Sequence, residues 1–197
     1  MTAFRSTTRQ LAVAARALAL FTLVLGIVYP LLATAAAQAV PRQANGSPAI
    51  IDGTVTGSVL IGQSFTDSSG AALPEWFQSR PGNYDGAASG GSNLGPASTE
   101  LAETVAERRR DVAALESVPA DQVPADAVTA SASGLDPHIS PDYAYLQVPR
   151  VARVRELPEA AVRGLVDAAV AGRTAGFLGE PTVNVLELNI ALRELDT

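Results

Sequence analysis

ALALFTLVLGIVYPLLATAAA, residues Ala17 to Ala37, carries no charge along its whole length. About 20 residues of helix cross the hydrocarbon core of a bilayer, so this run is long enough to span one. Pro30 lacks a backbone donor and predicts a kink, and neighbouring helices are able to satisfy the freed carbonyl. Gly26 and Ala33 leave room for another helix to approach closely. Arg5, Arg9 and Arg16 precede the run. The positive-inside rule then places residues 1–16 in the cytoplasm and everything beyond the span outside. A cleaved signal peptide is the competing reading: the start is basic, the run is apolar, and Ala37-Gln38-Ala39 offers a small-residue cleavage site. The anchor is preferred because the run exceeds the usual apolar length of a signal peptide.

The expected fold class is a single-pass membrane protein. One transmembrane α-helix, 17–37, is followed by a turn-rich linker, 38–49, and a mixed α/β (α+β) domain, 50–197. The linker stretch VPRQANGSPA contains Asn45-Gly46-Ser47, a glycosylation sequon short enough to arise by chance. Hydrophobic residues make up 47% of the 197, enough for a real core.

Absent residue types exclude most enzyme classes. The chain has no cysteine, and its 14 basic residues are all arginine. No disulfide, thiolate metal site, P-loop lysine or Schiff base is possible. With the one histidine, His138, a metal would need mostly oxygen ligands. Charge is uneven: residues 1–51 hold four arginines and no acid, whereas residues 52–197 hold 20 acids and 10 arginines, a balance of −10. An acidic domain repels phosphate backbones, so nucleic acid is not a partner.

In the outer domain, IIDGTVTGSVLIGQSF (50–65) predicts a strand or hairpin, with Val59-Leu60-Ile61 as a strand run. Residues 66–97 predict a long loop pinned by Trp76, Phe77 and Tyr84. Ser98 caps an expected helix to Glu116, with Leu101, Val105, Val112 and Leu115 as its apolar stripe. Arg108, Arg109 and Arg110 are expected to pair with Glu103, Glu107 and Asp111 rather than hold a ligand. Short helical pieces are expected after Pro119 and Pro141, the second broken by Pro149. A helix is expected over Pro158 to Ala171, stopped by Gly172, with Val162, Leu165, Val166, Ala169 and Val170 inward. Thr182 to Leu186 alternates like a strand and leads into Leu188 to Leu192.

SASGLDPHISP (131–141) sets His138 beside Asp136 and Ser140 and raises the question of hydrolase chemistry. No G-x-S-x-G elbow accompanies it. Asp136 and Ser140 are better read as caps of backbone amides in a turn. GGSNLGP (90–96) is a weak anion nest, because neither the G-x-G-x-x-G spacing nor a lysine is present.

Taken together and in order, GSVLIGQ (57–63), RPGNY (80–84), GGSNLGP, ADAVTASASGLDPHISP (125–141), QVPRVARVR (147–155) and GFLGEPTVNVLELN (176–189) resemble the KdpC family. This is the C subunit family of the Kdp potassium-transporting P-type ATPases. The resemblance covers residues 10–192; Ala97-Ser98 and the 64–75 loop depart from the usual pattern. It implies an accessory subunit in a four-part complex with a channel-like potassium-translocating subunit, a P-type ATPase subunit and a small membrane peptide, held in the lipid bilayer. It implies a catalytic chaperone that raises the ATP affinity of the ATPase subunit. Family-level candidates for cofactor contact are Gly90, Gly91, Ser92 and Asn93, with ATP supplied through the partner; no catalytic or metal residue is assigned. The chain agrees with a non-catalytic role, having no D-K-T-G or Walker A motif. Since the predicted topology puts residues 42–197 outside the cell, an effect on ATP affinity is expected to be indirect. The alternative is an extracytoplasmic module that gathers or binds cations at the pump entrance; an anchored enzyme is disfavoured.

Overall fold

The structure, a computed structural model, describes residues 2–195; residue 1 and residues 196–197, the outermost parts of the expected end segments, lie outside it. The chain divides into two compact units at Ser47/Pro48, each described by itself.

The first unit is helical from Thr2. Helix α1 (Thr2–Leu23) runs into a π-helical turn (Val24–Val28) and on into α2 (Tyr29–Ala37). The helix thus begins well before Ala17, and at 1.5 Å per residue it is about 50 Å long, more than a bilayer core requires. Thr7–Ala37 is apolar and long enough to cross a membrane, with none of its apolar window buried. The π turn lies just ahead of Pro30, a usual place for the ladder to widen when a donor is missing. A single-turn helix, α3 (Pro41–Ala44), follows, and Ser47 N–H closes it on Arg42 O at 2.8 Å.

The second unit opens with a hairpin of β1 (Pro48–Ile51) and β2 (Thr54–Ser58). Asp52 and Gly53 adopt φ of 50° and 75°, the two left-handed residues of a type I′ turn, which matches strand twist. Val59-Leu60-Ile61 does not extend β2; it turns away after Ser58. From there to Ser98 the chain forms no regular element apart from an isolated Thr66–Ala72 bridge.

Helix α4 (Thr99–Glu116) starts at Ser98, whose hydroxyl accepts from Leu101 N–H. Its expected stripe is only half-buried; Glu116 alone is fully buried. Two short 3-10 turns then lead to β3 (His138–Ile139) and α5 (Pro141–Val154). Pro149 does not break α5. It lies on the exposed side, where water can serve the carbonyl it leaves unpaired. The opposite face buries Tyr143, Ala144, Val148, Val151 and Ala152, and that packing outweighs the lost bond.

Helix α6 (Glu159–Ala169) turns Val162 and Val166 inward. Val170–Ala171, expected as its last residues, form strand β4 instead. Strand β5 (Thr182–Asn184) is the centre of a three-stranded antiparallel sheet, β3-β5-β4. It stops two residues before Leu186, because Asn184 Oδ1 accepts from Glu187 N–H and starts α7 (Val185–Leu195). Val148, Val151, Val162, Val166, Val183, Leu188 and Leu192 make the core, at about 1.5–3 kcal/mol for each large side chain.

Candidate functional site

The segment Pro74–Gln78 runs across the core with no strand beside it, so its backbone groups need side-chain partners. Asn189 of α7 accepts from Phe77 N–H and donates to Phe77 O, both at 2.9 Å. Gln147 of α5 does the same for Gln78, accepting from its N–H at 2.6 Å and donating to its carbonyl at 3.2 Å. Two amide side chains thus stand in for a neighbouring strand. Arg150, one turn beyond Gln147, donates to Trp76 O at 3.0 Å, to Pro74 O, and to Gln147 Oε1 at 2.8 Å. Its Nε reaches both Glu116 oxygens at 3.0 Å. Arg155 donates to Glu75 O at 2.7 Å and lies 4.1 Å over the Trp76 ring. Burial pushes the Glu116 carboxyl up from its ordinary value, and Arg150 opposes the shift. Burial also pushes the Tyr143 hydroxyl well above its usual range.

A second network joins the glycine-rich stretches. The backbone of 131–137 is a spine that accepts from three bends of the one irregular segment 59–98: Gly62 N–H on Leu135 O at 2.9 Å, Tyr84 N–H on Gly134 O at 3.1 Å, and Gly90 N–H on Ser133 O at 2.8 Å. The bends come so close that a methyl group at Gly82 would lie 2.8 Å from Gly134 O, and one at Gly91 would lie 3.0 Å from Ala132 O. Gly90 and Gly91 therefore hold this junction. Ser92 Oγ accepts from Leu94 N–H at 3.4 Å, and Asn93 takes a left-handed φ of 55°.

His138 falls in β3 opposite Asn184 rather than in an open turn. Asp136 Oδ1 accepts from His138 N–H at 3.0 Å and lies 3.2 Å from its Nδ1, while Oδ2 meets Arg80 at 3.2 Å. Asp136 thus both caps an amide and touches the ring. Ser140 turns its hydroxyl to Asp126, at 2.9 Å, and caps α5 through Tyr143 N–H at 3.1 Å. A nucleophile beside a base is not assembled here. Among the described residues no group of three or more metal-ligating side chains gathers.

A cleft of about 640 Å³ lies over α4 and the 64–84 loop, lined by Phe65, Arg80, Tyr84, Arg108, Asp111 and Tyr143 among others. Arg108 reaches out of its helix to Val128 O at 3.3 Å, instead of pairing with a carboxylate one turn away. Gln147, Arg150 and Asn189 lie within the quoted motifs, whose local spacing does not disclose the clamp they form. The available signal was a polar Gln147/Arg150 pair, one turn apart, on an otherwise apolar helix face.

A family model described as "KdpC: K+-transporting ATPase, c chain" matches residues 11–194. Proteins named potassium-transporting ATPase KdpC subunit are similar along most of the chain. The one from Kineococcus radiotolerans is 52% identical over 173 residues, covering 86% of this chain and 85% of its own. The one from Acidobacterium capsulatum is 52% identical over 176 residues, covering 87% and 90%. The one from Streptomyces coelicolor is 48% identical over 202 residues, covering 91% and 90%.

Proposed function

The chain belongs to the KdpC family, the c-chain family of potassium-transporting ATPases, and from that premise we propose that it serves the pump as an anchored, non-catalytic subunit. The observation that carries this reading is the division of labour in the chain. One apolar helix is long enough to span a membrane, and in the domain that follows the buried amide side chains of Gln147 and Asn189 are engaged by the domain's own backbone. In this reading residues 17–37 cross the bilayer, residues 1–16 stay in the cytoplasm, and the domain lies outside. The partners are a channel-like potassium-translocating subunit, a P-type ATPase subunit and a small membrane peptide. The role is to support assembly and to raise the ATP affinity of the ATPase subunit indirectly, through helix packing. The hold of Gly90 on Ser133 favours a structural use of Gly90, Gly91, Ser92 and Asn93 over nucleotide contact.

Purification from mild detergent tests the proposal. The chain should travel with a multispan partner of potassium-stimulated ATPase activity, and its mature N-terminus should lie before the span. Stripping it from the complex should raise the KM for ATP with less effect on kcat. An unchanged KM would remove the chaperone role, and a mature start near Val40 would remove the anchor.

A further inference from the structure

The apolar helix carries a backbone mismatch that the chain does not resolve by itself. At the π turn Tyr29 N–H donates to Val24 O, five residues back. In an α-helix that amide would serve Leu25 O, four residues back. The next donor in line would be that of residue 30, and Pro30 has none. Leu25 O therefore loses both its four-residue and its five-residue partner. By the helix rise, Leu25 lies about 12 Å from Ala17 and about 18 Å from Ala37. That is close to the middle of a core about 30 Å thick, where water is scarce. An unpaired backbone carbonyl at such depth is costly, because lipid tails hold no donor to relieve it. The helix surface next to it is open: a methyl at Gly26 would meet only the Thr22 methyl, at 4.0 Å.

Resting on the reading that this helix spans the membrane, we propose that Leu25 O is a docking point for a transmembrane helix of another subunit, one that brings a hydroxyl or amide side-chain donor to mid-bilayer depth. The π turn thus makes a specific acceptor out of a segment that would otherwise offer only apolar surface. Apolar contact has no hydrophobic driving force in lipid, so an interhelical hydrogen bond adds to association what packing by itself does not supply.

The test places a carbon-13 label on the Leu25 carbonyl of the full chain and records its infrared band in lipid bilayers, alone and in the assembled pump. The expected result is a high-frequency, unbonded band for the chain alone, and in the complex a lowered band that heavy water does not move. The variant P30A restores the missing amide. It should lower the band in the isolated chain and reduce co-purification with the pump by roughly 3- to 10-fold, the yield of one interhelical bond. The proposal is overturned by an identical band in both states. It is overturned equally by a band already lowered in the wild-type chain alone, the mark of water or a second copy, and by P30A assembling like wild type. Release of the wild-type chain from membranes by alkaline washing would sink the span itself and this proposal with it. Retention with an unchanged band would sink this proposal only.

Discussion

Arg150 and Glu116 meet at 3.0 Å with side chains that are 1% and 0% exposed. A buried pair of this kind contributes little net stability over an apolar pair, because both ions lose their hydration. Removing one partner is another matter, since the second charge then stays buried alone. Arg150→Met should cost about 3–5 kcal/mol, a large share of the roughly 5–15 kcal/mol that holds a domain together. It also strips donors from the Trp76 and Pro74 carbonyls. The double variant E116L/R150M should recover part of that loss; chemical denaturation of all four cycle members measures it, and strict additivity would contradict the coupling. His138 stands at the other extreme. Its side chain is 43% exposed, and Asp136 still caps the His138 backbone N–H whatever side chain stands there. His138→Asn should change stability by less than about 0.5 kcal/mol. A loss of more than about tenfold in transport, equal to about 1.4 kcal/mol of barrier, would assign the imidazole a role.

Two glycines separate loop-junction from helix behaviour. Gly164 lies inside α6 with nothing within 4 Å of an added methyl. Gly164→Ala should stabilise the domain by about 0.5–1 kcal/mol, through a smaller loss of backbone entropy on folding. Gly82 has the Gly134 carbonyl 2.8 Å from the same position. Gly82→Ala must push the 131–137 spine away and should cost about 1–3 kcal/mol. Thermal unfolding of the two variants should therefore move in opposite directions, and a shared direction would contradict the junction. Among elements, those with local signals were legible. Ser98 and Ser140 cap helices where expected, and Asp52-Gly53 turns a hairpin. Pro149 misled because its cost is local while its compensation, the buried face of α5, comes from residues distant in sequence.

At the scale of the whole molecule the governing quantity is charge. The balance of −10 beyond residue 51 raises the local cation concentration through its summed field. Such a field acts on charge alone and cannot tell potassium from sodium. Asp67 and Asp85 are poor sites to probe it, because each accepts backbone amides of its own turn. Hydrogen bonds from Ser69 and Ala71 hold the Asp67 carboxyl below its ordinary value. Glu103, Glu107 and Asp121 are exposed and suit the purpose better. Changing these three to Gln, Gln and Asn should raise the apparent KM for potassium at low ionic strength. The shift should shrink as salt shortens the screening length to about 8 Å. An unchanged KM in reconstituted pump at low salt would leave the acids a solubilising role.

The sequence by itself determined the apolar run, the acidic domain, the absence of cysteine and lysine, and the six ordered motifs that resemble one family. These are properties of composition and local order, and folding does not alter them. Tertiary structure decided what the motif residues do. Gln147, Arg150 and Asn189 are 42 residues apart at the extremes, and each serves a segment at least 69 positions upstream. Gly62, Gly82 and Gly91 meet one spine from three separate bends of a single irregular segment. No period or spacing in the chain records such meetings. They arise because a buried backbone without a strand beside it must find donors and acceptors wherever the packed core brings them.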